Sequence, residues 1–226
     1  MRPLLLLPTL CFFSLALFAQ PRLGTVQAVG SATVSVKPDQ AQIQLAVVTT
    51  AATASDASTQ NANQVTAVLN AVTAILGPNP NIQTLSYSLT PNYTFPQNQP
   101  PVLTGYTAQN TVQVTLTDLS IIGKVIDTGV AAGANRVQSL QFGLQNDQPM
   151  RTQALKMATV QAKANADAMA SGLGLTTGAV ISILEGANAT PVPVVLSAAA
   201  AGASTPVVTG VVNVQANVTI QVALSQ

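Results

Sequence analysis

Charged side chains are scarce in this 226-residue chain: Lys, Arg, Asp and Glu together make up 7% of it, against the roughly 25% usual in soluble domains. So few basic groups build no phosphate-binding stripe, which argues against a nucleic-acid partner. Histidine is absent, and with it go imidazole general bases, histidine-dependent serine triads and most zinc sites. The one cysteine, Cys11, lies in the N-terminal leader. A processed chain therefore has no disulfide, no thiol nucleophile and no thiolate metal or iron–sulfur centre. Aromatic residues are 4% of the chain and scattered along it, too sparse for a base-stacking platform. No catalytic, cofactor-binding or metal-binding residue is assigned from the sequence, and no cofactor is expected.

In place of charge the chain has Gln, Asn, Thr and Ser, and 48% of its residues are hydrophobic. Residues 1–19 read as a secretory signal peptide. Arg2 is the positive start, Leu4–Phe18 the apolar run, and Leu17-Phe18-Ala19 the small-residue cut. A signal anchor competes with that reading, but the run is short for a span and holds Pro8, with Pro3 just before it. Leu10 before Cys11 argues against a lipoprotein cut. Without Arg2, 7 basic side chains face 7 acidic ones, so the exported chain is close to neutral. A neutral, weakly repulsive surface favours self-association. Residues 20–226 show no break in composition and read as one domain.

The stretch Gly105–Leu144 organises that domain. Tyr106, Ala108, Val112, Val114 and Leu116 alternate with Thr107, Gln109, Thr111, Gln113 and Thr115, the period of a half-buried strand, with Asn110 as the one interruption. Asp118 stands where a helix cap belongs, Leu119, Ile122, Val125 and Ile126 form an apolar stripe, and Gly133 ends it. Upstream, Val26–Val36 and Ala41–Val48 read as strands joined by a tight reversal at Lys37-Pro38-Asp39, with Gly30 marking a bulge. Ser55–Leu76 reads as a helix with Val65, Val68 and Val72 on one face and Asn61 away from it. Ile82–Tyr93 is a further strand.

Downstream, Asp147 and Pro149 open the longest helix, about Met150–Ser171, alanine-rich with Met157, Met169 and Leu173 as its larger apolar groups. Val180–Leu184 reads as a short buried strand. Residues 186–207 form an Ala/Pro/Val-rich loop, and Val212–Leu224 alternates cleanly as a long final strand. The expected order is ββαββαβαββ: an α+β fold in which about three helices cover one face of a largely antiparallel sheet.

The runs GTVQAVGSATVSVKPDQAQI, IQTLSYSLTPNY and LTGYTAQNTVQVTLTDLSIIGKVIDTGVAAGANRVQSLQFGL, taken in this order, resemble the SIMPL-domain family of YggE-like and periplasmic immunogenic proteins. The helix RTQALKMATVQAKANADAMASGLGL and the final strand extend the likeness over nearly the whole exported chain. The resemblance implies a periplasmic or otherwise exported envelope protein linked to stress tolerance, with family members that assemble into large hollow rings. It carries no catalytic residues.

A search for chemistry returns little. Ser120 and Lys124, four apart, have the spacing of a Ser–Lys hydrolase pair, but a solvated polar face explains them as well. Asp118 and Asp127 fall on opposite helix faces, which defeats shared acid–base work. Gly172, Gly174 and Gly178 follow a helix rather than a strand, the wrong context for a nucleotide loop. Lys156 and Lys163 read as a snorkelling surface pair rather than a phosphate or lipid-headgroup site. The expectation is a non-enzymatic protein whose partner is itself, with the apolar residues 191–204 at the contact between copies or against a membrane surface; a loop folded back over its own domain is the alternative. A hydrolase and a small-molecule or lipid binder are the alternatives.

Overall fold

The computed structural model describes residues 24–186, the backbone of 192–194, and 207–226. The leader, and with it Cys11, lies outside the described residues, as does the apolar 191–204 loop apart from that backbone. The elements are β1 (Thr25–Val36), β2 (Gln40–Ala51), α1 (Ala54–Leu76), β3 (Asn81–Thr94), β4 (Val102–Leu116), a 3-10 turn (Leu119–Ile121) running into α2 (Ile122–Ala131), β5 (Arg136–Gly143), α3 (Gln148–Gly172), β6 (Thr176–Glu185), β7 (Val192–Val194) and β8 (Val211–Ser225). The fold is α+β and every strand pairing is antiparallel. The order is the one expected from the sequence, with the short β7 added.

The strands divide between two sheets rather than one. One has the order β3-β4-β2-β5; the other is β1-β8-β6, with β7 also paired to β8. The helices divide with them, α1 and α2 on the first sheet and α3 on the second. The cause is the Lys37-Pro38-Asp39 link, which does not fold β1 back on β2. It carries the chain from one sheet to the other, and β1 instead pairs along its length with β8, from Thr25 opposite Ala223 to Val36 opposite Val212. Asp39 holds the crossing in place: its N–H donates to Gly143 O (3.2 Å), and Gln145 N–H donates to Asp39 Oδ1 (2.7 Å).

The core of the first sheet forms where the alternation of β2 and β4 puts Ile43, Leu45, Val112 and Val114 beneath Val68 and Val72 of α1 and Ile122 and Val125 of α2. Asn61 corrects the expected face of α1. It is fully buried between Ala57 and Val65, and its Nδ2 donates to Val47 O (2.9 Å) and Ala108 O (3.2 Å), which latches the helix to two strands. Asn135 extends β5 ahead of its first strand residue: its side-chain amide exchanges two hydrogen bonds with the backbone of Val48 (2.9 and 2.7 Å), as a strand residue would. Gly133 (φ 125°) follows the end of α2, in the left-handed turn expected of it.

The second core is narrower. Ala154, Ala158, Ala162, Ala166 and Ala170, four residues apart, are the buried face of α3, and the first four lie on Ala28, Val218, Ile220 and Val222. The larger groups Met157, Met169 and Leu173 face outward. Gly30 makes no bulge, since the β1–β8 register runs through it unbroken. A Cβ there would lie 2.1 Å from Ala158 O and 2.3 Å from Ala162 N, so glycine is needed because helix backbone rests directly on strand backbone.

Candidate functional interface

β6 is the part of the second sheet that α3 fails to cover, because the helix lies mainly over β1 and β8. Val180 pairs with Val222 and Ile183 with Ile220, both partners fully buried, yet Val180 is 45% and Ile183 57% exposed. On the other face Leu184, opposite Thr219, is 62% exposed. The expected short buried strand is thus ten residues long and mostly bare. A run this apolar, broken only by Ser182, is the composition of a strand covered on both faces, and among the described residues that cover is missing.

Two ion pairs close the ends of the α3–β6 seam. At one end Arg151 Nη2 lies 2.6 Å from Glu185 Oε1. At the other, Lys163 Nζ donates to Asp167 Oδ1 (2.5 Å) and to Thr177 Oγ1 (2.9 Å), and the Thr177 hydroxyl donates to Asp167. The hydrogen bond from Lys163, then that from Thr177, holds the Asp167 carboxyl below its usual range. A depressed carboxylate contributes stability above its unfolded pKa, about 3.9, and loses it as pH falls through the folded value. The melting temperature of Asp167→Asn is therefore expected to fall less than wild type between about pH 5 and about pH 2. The difference is small, as for any solvated pair, and parallel curves in circular dichroism melts would show that Asp167 contributes none of the acid sensitivity. Lys156 is exposed and outside this cluster, so the two lysines of α3 do not act as a pair.

The second bare surface is the β3–β4 hairpin. β2 ends at Ala51 opposite Tyr106, and beyond it β4 is paired with β3 alone, from Gly105 opposite Asn92 to Val102 opposite Thr94. This two-stranded arm exposes Tyr93, Val102, Leu103 and Phe95, the last to 77%. Along the edge below it Leu85, Tyr87 and Leu89 are exposed as well. The aromatics that look scattered in the sequence converge here. All three tyrosines, Tyr87, Tyr93 and Tyr106, lie on the hairpin and Phe95 directly follows β3, leaving Phe142 as the one aromatic elsewhere after the leader. No charged residue occurs between Asp56 and Asp118.

The residues considered for catalysis are engaged in structure. Ser120 donates its N–H (2.9 Å) and its hydroxyl (2.6 Å) to Asp118 Oδ1, which caps the 3-10 turn. The same two bonds, the hydroxyl first, keep the Asp118 carboxyl below its usual range. Among the described residues no hydrogen bond joins Ser120 to Lys124, and Lys124 and Asp127 are exposed on α2. Gly172 and Gly174 terminate α3 and Gly178 packs against Ala223, so they form no phosphate cradle. A cleft of about 310 Å³ lies where β2 meets β5, lined by Gln40, Gln42, Gln141, Phe142, Leu144 and Asp147. Its polar groups are neutral amides apart from Asp147, with no base and acid facing each other across it. Among the described residues no three His, Cys, Asp or Glu side chains gather, and no helix is long and apolar enough to cross a membrane.

Residues 26–222 match the family model SIMPL, described as a protein of unknown function (DUF541). The chain is similar to the 26 kDa periplasmic immunogenic protein of Brucella melitensis, 30% identical over 182 residues that cover 76% of this chain and 73% of that one. It is also similar to the uncharacterized protein YggE of Edwardsiella ictaluri, 29% identical over 68% of this chain and 64% of its relative. For the YggE of Escherichia coli K12 the identity is 27%, over 68% and 62%.

Proposed function

The chain belongs to the SIMPL family, and from that membership and its two bare surfaces we propose that it acts in the cell envelope as a homo-oligomer rather than as an enzyme. The observation that carries this reading is β6, where Val180, Ile181, Ile183 and Leu184 are exposed on both faces of one strand. Such an edge templates pairing with another chain unless something covers it. Near-zero charge removes the repulsion that keeps most monomers apart. Export is supported by the likeness to the Brucella protein, which is named as periplasmic, and the link to stress tolerance is the expectation that the family brings. Against a hydrolase reading stands the Ser120 hydroxyl, which donates to the capping Asp118 rather than to Lys124.

Light scattering on the exported, processed protein at micromolar concentration tests the proposal. The expected mass is a multiple of the chain mass, reduced to one chain by Ile181→Lys with Ile183→Lys. Both positions are exposed in the single chain, so the variant keeps its fold. A wild-type protein that weighs one chain overturns the reading.

A further inference from the structure

We infer that the contact between copies joins two different surfaces, the β3–β4 arm of one copy docking on β6 of the next. This rests on the self-assembly reading above and adds the identity of both faces. Between Thr177 and Leu184 the strand β6 carries no charge, and the nearest ions are paired with one another at the two ends of the seam. Whatever covers it must bring no ion of its own, since a charge buried there without a partner opposes association. The arm meets that condition, being uncharged throughout, and its exposed groups are the tyrosine, phenylalanine and branched aliphatic side chains that fill the centres of protein interfaces.

Shape points the same way. Two β6 strands paired across a two-fold axis would extend the sheet at its edge and leave Leu184 as bare as before. A ribbon standing free of its own sheet can lie over a face as well as along an edge. Four residues of β4, 102–105, run past the end of β2, about 13 Å of arm at strand spacing. The polar Gln97, Asn98 and Gln99 of the connecting loop would then point past the strand into water. Because each copy offers one arm and one β6, the contact is head-to-tail, the kind that closes into a ring or runs on as a filament.

Complementation between two blocked copies tests this without knowledge of the register. The β6-blocked variant carries Ile181→Lys and Ile183→Lys; the arm-blocked variant carries Tyr93→Lys and Phe95→Lys, at positions likewise exposed. Each alone is expected to weigh one chain with an unchanged circular dichroism spectrum. Mixed in equal amounts they should form a species of two chains and no larger, since one intact arm meets one intact β6. An arm-blocked variant that keeps the wild-type mass overturns the inference and leaves the arm free for another partner, such as a lipid surface. A mixture that stays at one chain also overturns it. Both results leave self-assembly standing, whereas a monomeric wild type removes the two proposals together.

Discussion

Val114→Asp is expected to unfold the protein, while Thr115→Asp, one residue along the same strand, leaves it folded. Val114 is 1% exposed and lies between Ile43 on β2 and Ile82 on β3. A carboxylate placed there meets hydrocarbon on every side and no donor. Several kcal/mol are lost by burying such a group, out of the roughly 5–15 kcal/mol that keeps a domain folded. Thr115 points to the opposite face, opposite Gln42 and Asn81, where it is half-buried among groups able to solvate a charge. Urea unfolding followed by circular dichroism gives the comparison. Equal damage from both substitutions would mean that this part of β4 is closed on both faces, as it is higher up at Thr111 and Ala46.

Gly30→Ala is expected to cost about 3 kcal/mol or more, at the upper end of what overpacking does. One added carbon would sit 2.1 Å from Ala158 O and 2.3 Å from Ala162 N. Both are helix backbone, so no rotamer relieves the clash and α3 must lift from the sheet. Lifting it opens the contact of the four alanines that lie on the sheet. Gly172→Ala serves as the control: nothing lies within 4 Å of its added carbon, and alanine favours the helix end. A stability for Gly30→Ala within about 0.5 kcal/mol of wild type, the range of ordinary surface changes, would show that α3 does not rest on β1 as tightly as described.

Much of the fold was legible because half-buried strands record their faces at period 2. The alternations at Val112–Leu116 and Val212–Val222 mark the sides that the structure buries. Which strand lies beside which left no such mark: β1 and β8 are almost 200 residues apart, and a local pattern carries no pairing partner. Asn61 read as solvent-facing because its partners, two strand carbonyls, are remote in sequence. Gly30 read as a bulge because a glycine in a strand has two common causes, and only the position of α3 tells them apart. The run Val180–Leu184 signalled the strand but not its exposure, because apolar composition does not record whether anything lies over a strand, and α3 lies mainly over β1 and β8. As for the candidate interface, the tyrosines come together only through the hairpin, while the charge-free stretch from Ala57 to Thr117 was visible in the sequence all along.

The alanine stripe of α3 has a mechanical side. A step of four residues turns about 40° beyond one revolution, so between Ala154 and Ala170 the stripe winds about 160° around the helix over about 24 Å. All five alanines are nevertheless buried, the first four against the sheet and Ala170 at the closing turn, where the Leu173 and Leu175 N–H groups donate to its carbonyl. A stripe that winds so far cannot stay on a single strand, and α3 lies across both β1 and β8. Moving α3 along the sheet by one alanine therefore takes a turn of about 40° as well as a shift of about 6 Å, and Gly30, seated against Ala158 and Ala162, marks the one register in which helix backbone meets strand backbone.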